Sequence, residues 1–403
     1  MDQTFVIIGA GHAGGQAAAT LRSKGFEGKI IMIGDEPYAP YERPPLSKAL
    51  LAGEIEIDRL YLKKPSWYED KDIDLRVNTL VDSIDKAGKS LALSDGSTIA
   101  YDKLLIATGT RVRKLALPGA ELGGIFYLRA IADTLAIQER MKPDTKVVIV
   151  GGGYIGLEVA AVGAKMGCDV TVLEGLDRVM NRVVSPEVSA FYHETHTAAG
   201  VKIITGVGVT GYEGEGDVSK VICADGSAYD ADLVVVGVGV IPNCEIAEEA
   251  GLTVENGLVV DEYAQTSDPD IYAAGDVTNH PNALLGGRLR LESVQNAVDQ
   301  AKTAANAMLG TLKEYAEIPW FWSDQYDLKL QIVGLSEPDD EVVMRGDPAT
   351  KKFSVCYLRD GELVAVNAIN NVKDFMGAKK LIAAHRKIDP ALLADADTPL
   401  KQM

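Results

Sequence analysis

The sequence predicts an α/β protein: two doubly wound, three-layer domains built on parallel strands, followed by a smaller α+β domain. Three observations predict it. A glycine-rich turn joining an apolar strand to a helix occurs twice, a carboxylate follows each turn at a similar distance, and a hairpin pattern near the end breaks that rhythm. At 403 residues the chain is too long for one ordinary core, so more than one domain is expected.

The first unit begins with Phe5-Val6-Ile7-Ile8, an apolar run of the kind a strand buried on both faces requires. It runs into Gly9-Ala10-Gly11-His12-Ala13-Gly14 and the alanine-rich helix former Gln16–Leu21. A second apolar strand, Lys29–Ile33, ends at Gly34-Asp35-Glu36, which puts Asp35 24 residues past Gly11. In the Gly-x-Gly-x-x-Gly pattern the first glycine permits a tight turn. The second lets a pyrophosphate approach the backbone, and the third lets helix and strand pack closely. Unpaired N–H groups at the helix start receive the phosphates, and Asp35 or Glu36 accepts from a ribose hydroxyl.

The unit then recurs. Lys146–Val150 leads into Gly151-Gly152-Gly153-Tyr154-Ile155-Gly156, and the strand Asp169–Leu173 ends at Glu174, 21 residues past Gly153. A carboxylate there suits the free 2′-hydroxyl of NADH and repels the 2′-phosphate of NADPH; Arg178 is the one hint the other way. Two such fingerprints imply two dinucleotides in two domains, with their redox rings brought together.

Charge and composition remove other classes. The formal charge is −18, with 40 Lys and Arg against 58 Asp and Glu, so a polyanion such as DNA is an unfavourable partner. No apolar run reaches the roughly 18–20 residues of a membrane helix, and the apolar start is too short and too soon followed by glycine for a signal peptide. A cytoplasmic protein is expected. The four cysteines (Cys168, Cys223, Cys244, Cys356) are far apart and form no Cys-x-x-Cys pair or metal-ligand spacing, so reduced thiols and no metal are expected.

Further segments carry a resemblance. Leu104–Gly109, Leu233–Asn243, Ile271-Tyr272-Ala273-Ala274-Gly275-Asp276, Arg43-Pro44-Pro45-Leu46-Ser47-Lys48 and Trp320–Tyr326 are similar to segments of the two-dinucleotide-binding flavoproteins, which are glutathione-reductase-like in fold. The last two resemble the putidaredoxin-reductase-like ferredoxin reductases of that family, and the likeness runs essentially end to end. It implies FAD on the first fingerprint, NADH on the second, and a [2Fe–2S] ferredoxin as electron acceptor, most simply one feeding a bacterial cytochrome P-450 monooxygenase. A monomer is the family expectation. The ferredoxin reductase of an aromatic-ring dioxygenase shares nearly every motif; alternatives of other classes are an apoptosis-inducing-factor-like flavoprotein, disfavoured by the acidic charge, and an oxygen-using NADH oxidase, disfavoured by the missing cysteine. The stretch Tyr38–Lys48 contains no cysteine, which leaves no thiolate route for disulfide or peroxide reduction.

The resemblance also assigns residues. Beyond Gly9, Gly11, His12, Ala13, Gly14, Asp35 and Glu36, it places Arg43, Lys48, Val81, Ala107, Thr108, Gly109, Arg129, Gly275, Asp276, Glu292, Ser293 and Val294 at FAD contacts. Gly151, Gly153, Tyr154, Ile155, Gly156, Glu174 and Gly239 take NADH. Lys48 lies beside the flavin with Glu158 as its carboxylate partner, and Trp322 lies against the ring; these three are the catalytic candidates. Arg43 suits the pyrophosphate, since a guanidinium matches paired phosphate oxygens. Ser293 is read as the cap of a helix over Asn296–Leu309 whose N-terminus aims its dipole at the flavin. Arg288, Arg290 and Lys302, near that helix, are candidates for docking an acidic ferredoxin.

The expected domains are FAD binding over 1–113 and 243–320, NADH binding over 114–242, and the α+β domain over 321–403. In the last, Lys352–Leu358 and Leu363–Val366 flank the turn 359–362, helix follows over Val372–His385, and the polar tail Leu393–Met403 is expected to be loosely held.

Overall fold

A computed structural model of the chain describes residues 3–403. They divide into two compact units. Of the described residues, the first comprises 3–43, 57–111 and 240–319; the second comprises 44–56, 112–239 and 320–403.

The first unit centres on five parallel strands in the order Ile271–Ala273, Lys103–Ile106, Thr4–Ile8, Lys29–Ile33, Ile73–Arg76. Alternation along Thr4–Ile8 explains why both faces are covered. Phe5 and Ile7 point into a core shared with Ala17, Leu21, Ala301 and Ala304 of two helices, His12–Ser23 and Val294–Met308. Val6 and Ile8 point into the opposite core, beneath the antiparallel strands Val81–Asp85, Ser90–Leu93 and Thr98–Ala100. The helix expected over Asn296–Leu309 thus starts two residues earlier.

The second unit repeats the plan with parallel strands Lys202–Thr205, Asp169–Glu174, Lys146–Val150, Leu233–Val236 and Ile125–Phe126, in that order. Helices Ile131–Arg140, Tyr154–Lys165 and Pro186–Ala198 follow strands Ile125–Phe126, Lys146–Val150 and Asp169–Glu174 in turn along the chain. The same unit contains a five-stranded antiparallel sheet: Trp320–Gln325, Leu328–Gly334, Glu362–Ile369, Lys352–Arg359, Glu341–Asp347. The expected hairpin is the Lys352–Arg359 and Glu362–Ile369 pair. Helix Val372–Ala383 follows.

The C-terminal tail corrects an expectation: it is tied down. Leu393 and Leu400 are buried, and the buried Arg345 guanidinium donates to the carbonyls of Leu393, Asp395 and Thr398 while pairing with Asp374 at 2.9 Å. One arginine satisfies several carbonyls that a polar segment would otherwise give to water.

Cys223, Cys244 and Cys356 are buried and Cys168 is partly so; all four are free thiols. Burial pushes the Cys356 thiol up to about 12 and, with Glu245 nearby, Cys244 to about 11. Among the described residues no cluster of His, Cys, Asp or Glu has the make-up of a metal site, and no helix is long and apolar enough to cross a membrane.

Candidate functional site

Both glycine fingerprints have the backbone that a nucleotide pyrophosphate needs. Gly9 has φ +109° and Gly151 φ +107°, a region closed to most residues. A Cβ on Gly9 would lie 2.2 Å from the Ala107 carbonyl oxygen, and one on Gly151 2.3 Å from that of Gly237. A Cβ on Gly14 or Gly156 would strike the carbonyl of its own turn, at 1.9 and 2.1 Å. The middle glycines differ: nothing lies within 4 Å of a Cβ on Gly11 or Gly153. That open space adjoins helix starts at His12 and Tyr154 with no side-chain cap, so N–H groups are left for a phosphate. The residues present fit two dinucleotides.

The acids after the turns are used differently. Asp35 is exposed. Glu36 is occupied: it pairs with Arg43 at 2.5 Å and accepts from the Tyr41 hydroxyl at 2.6 Å, and Arg43 donates to that hydroxyl at 2.9 Å. This redirects the reading of Glu36 toward orienting Arg43. In the second unit Glu174 accepts from Gly152 N–H at 2.6 Å and Leu176 N–H at 2.8 Å, holding the turn against its own strand. Arg178 donates to the carbonyls of Val184 and Asn181 at 2.8 and 2.9 Å, so both terminal nitrogens brace a loop.

The remaining first-unit candidates line the strand ends and helix starts. Val81 and Ala107 are buried, and the Thr108 hydroxyl donates to the Asn243 carbonyl at 2.8 Å while the Asn243 amide returns a bond to Thr108 at 2.9 Å, ahead of Gly109. Gly275 donates to Gln300 at 2.9 Å, and Asp276 accepts from Thr110 at 3.5 Å. Ala13 is buried beside Gly275. His12 is pushed down to about 4 by burial and then by Arg43, so its imidazole is neutral. Ser293 caps its helix as expected, accepting from Asn296 N–H at 3.1 Å, with Val294 the first helical residue. Glu292 is paired with Arg290 at 2.6 Å.

The docking candidates are all engaged locally. Arg288 donates to the carbonyls of Val260 and Asn279, Arg290 pairs with Glu292, and Lys302 pairs with Asp299 at 3.0 Å. The charges of Arg290 and Lys302 toward solvent are thus partly cancelled.

Lys48, Glu158, Arg129 and Trp322 belong to the second unit. Lys48 Nζ donates to Glu158 Oε2 at 2.6 Å, with Glu158 only 3% exposed. Ser47 donates to the same oxygen at 2.5 Å and Ser323 to Oε1 at 2.6 Å. Removing one partner from a buried pair of this kind costs about 3–5 kcal/mol, because the other charge is left uncompensated. Trp322 is half-buried, its ring centroid 5.7 Å from that of Trp320. Tyr154 stacks obliquely on Phe321 at 4.8 Å, Ile155 is exposed, Gly239 has φ +100°, and the Arg129 N–H donates to Asp133.

Residues 3–301 match the family described as pyridine nucleotide-disulphide oxidoreductase, and 320–403 match one described as reductase C-terminal. The chain belongs to the pyridine nucleotide-disulphide oxidoreductases. Within that family it is 45% identical over 401 residues to the 5,5′-dehydrodivanillate O-demethylase ferredoxin reductase subunit of Sphingobium sp., covering 99% of this chain and 97% of that protein. It is 43% identical over 408 residues to putidaredoxin reductase of Pseudomonas putida, covering 100% and 97%. Among solved structures, the covalent putidaredoxin reductase–putidaredoxin complex aligns with TM-score 0.97 at 42% identity, covering 100% of this chain and 98% of that one. The family's α/β architecture is the one described above.

Sequence reasoning missed Tyr41, Ser47, Asn243, Ser323, Gln325 and His196. For Ser323 and Gln325 a signal existed: two polar residues two apart in a strand share one face. Nothing in the sequence said that this face is buried.

Proposed function

We propose that this oxidoreductase takes electrons from NADH and delivers them singly to a [2Fe–2S] ferredoxin, with FAD held by the first unit. The observation that carries this reading is the doubled fingerprint, each copy with the same backbone and the same open space over its middle glycine, in a chain without an accessible low-pKa thiol. Bound FAD supplies the conversion between a hydride and single electrons.

The chain's own residues have definable tasks. Gly9–Gly14 and Arg43 hold one pyrophosphate, Glu36 and Tyr41 orient Arg43, and the exposed Asp35 takes the ribose. Gly151–Gly156 hold the NADH pyrophosphate. Glu174 keeps lone pairs beyond its two backbone bonds and accepts from the 2′-hydroxyl. Arg178 is committed to loop carbonyls, which supports NADH over NADPH. Lys48 offers a cation to the flavin, and Glu158 offsets the cost of burying it. Trp322 covers the ring.

We assign FAD binding to 1–113 with 243–320, NADH binding to 114–242, and the α+β domain to 321–403, in a cytoplasmic monomer. The ferredoxin's onward partner is assigned to a cytochrome P-450 monooxygenase. The O-demethylase name of one relative favours a second reading, in which the ferredoxin serves a different oxygenase.

The test is anaerobic. Purified protein is yellow, NADH bleaches it rapidly, and cytochrome c reduction appears only when a ferredoxin is added. Colourless protein that takes up no flavin, or cytochrome c reduction at full rate without ferredoxin, overturns the reading. Lys48→Met should slow bleaching at least tenfold while flavin stays bound; stopped-flow rates equal to those of the parent sink the role of Lys48.

A further inference from the structure

The Glu158 carboxylate is the end of a longer buried chain. Its Oε1 accepts from Ser323 Oγ at 2.6 Å. Ser323 Oγ accepts from Gln325 Nε2 at 3.1 Å, and Gln325 Oε1 lies 2.8 Å from His196 Nε2. His196 Nδ1 lies 3.0 Å from the hydroxyl of Tyr326, which is 38% exposed. Ser323, Gln325 and His196 are all at most 1% exposed, so no water competes for these bonds. Helices Tyr154–Lys165 and Pro186–Ala198, the strand Trp320–Gln325 and the turn residue Tyr326 that follows it supply the members, all within the second unit.

The chemistry of each group fixes the direction. A carboxylate only accepts, so Ser323 donates to it. The serine lone pairs then receive the Gln325 amide N–H, which turns the amide oxygen toward His196. That oxygen accepts only, so His196 carries its proton on Nε2. Burial moves His196 below its ordinary value, consistent with a neutral ring whose Nδ1 accepts from Tyr326. Every bond from Tyr326 inward therefore points the same way, ending on Glu158 Oε1, while Lys48 and Ser47 fill Oε2. A carboxamide does not relay protons readily, because it must pass through its imidic acid form. The chain transmits orientation and polarity.

We propose that His196, Gln325 and Ser323 are positioning residues that lock the Glu158 carboxylate in the rotamer that aims Lys48. This rests on the reading of Lys48 as the cation beside the flavin.

The experiment compares His196→Phe, His196→Gln, Ser323→Ala and Lys48→Met as flavin-loaded proteins. Phenylalanine fills the space without a donor; glutamine restores an N–H. Three quantities are followed: the anaerobic rate of flavin reduction by NADH, the NADH concentration for half-maximal rate, and the flavin midpoint potential. Loss of a neutral bond at one remove predicts that His196→Phe slows reduction roughly threefold to tenfold, and loss of the bond to the carboxylate itself predicts that Ser323→Ala slows it by about tenfold or more. The half-saturating NADH should stay unchanged, the potential should move in the direction set by Lys48→Met but less far, and His196→Gln should recover most of both. In the Lys48→Met background, His196→Phe should add no further loss, since the pathway is already cut. A ¹⁵N spectrum of the unaltered protein should show His196 neutral with its proton on Nε2, a result independent of whether any variant folds. Silent His196→Phe and Ser323→Ala beside an affected Lys48→Met overturn the relay alone. An unaffected Lys48→Met overturns the Lys48 reading and the relay with it, and an Nδ1-protonated His196 overturns the relay's direction.

Discussion

The two glycine fingerprints share a backbone and differ in what they do with charge. In the first, one acid (Glu36) is drawn away to hold Arg43, and its neighbour Asp35 is left exposed. In the second, Glu174 is tied to its own loop by two backbone N–H groups and Arg178 is tied to two carbonyls. Beside one turn an acid orients a guanidinium and a second acid stays exposed, while beside the other the charges hold the loop in shape. This fits a resident group on the first and an exchanging one on the second, since an added guanidinium beside a pyrophosphate raises affinity and slows release.

The sharpest break in that comparison uses the middle glycines. Gly11→Asp and Gly153→Asp both point into open space, so both should fold, and each puts a carboxylate where a pyrophosphate belongs. Gly11→Asp should yield colourless protein. Gly153→Asp should stay yellow and be reduced by dithionite, but lose at least about a hundredfold in reduction by NADH, a cost of roughly 3 kcal/mol. Absorbance spectra and stopped-flow traces check both; a yellow Gly11→Asp protein breaks the assignment of FAD to the first turn.

Acid sensitivity should also differ between the units. His280 in the first unit is buried with neither ring nitrogen bonded among the described residues, and burial, then Arg288, pushes it down to about 4. A folded-state value below the unfolded one means that stability is full above pH 6.5 and falls as pH drops toward 4, by up to about 3 kcal/mol. His280→Phe removes that loss without breaking a bond, so its urea midpoint should change less between pH 7 and pH 4.5 than the parent's. Equal pH slopes count against it.

Smaller still is the second acid. Glu174→Gln keeps one acceptor but not the charge, and should raise the KM for NADH about tenfold while NADPH gains little, because Arg178 stays occupied. Parallel titrations with the two coenzymes decide it. The smallest effect belongs to docking: Arg290→Glu with Lys302→Glu should raise the KM for ferredoxin only about twofold to threefold and flatten its salt dependence, as each cation already has an acid beside it. A KM that stays put at low salt moves the docking face elsewhere.

Much of this was legible in the sequence, for physical reasons. Apolar strands such as Phe5–Ile8 and Lys146–Val150 and their glycine turns are local, and the Ser293 cap lies within three residues of its partner. What escaped depends on distance along the chain. The Lys48–Glu158 pair was legible only through the resemblance, and the added partners Ser47 and Ser323 lie 111 and 165 residues from Glu158, where no spacing rule brings them together. The tail was misjudged because its polar residues gave no hint that Arg345, some fifty residues earlier, collects its carbonyls.

The buried thiols of Cys244 and Cys356 have a consequence for handling and for life under stress. Alkylating agents and peroxides attack the thiolate, and a thiol raised to about 11 or 12 is ionised at neutral pH in roughly one molecule in ten thousand or fewer. Maleimide and peroxide doses that silence cysteine-dependent flavoenzymes should leave Cys244 and Cys356 intact, and any label taken up should sit on the partly exposed Cys168.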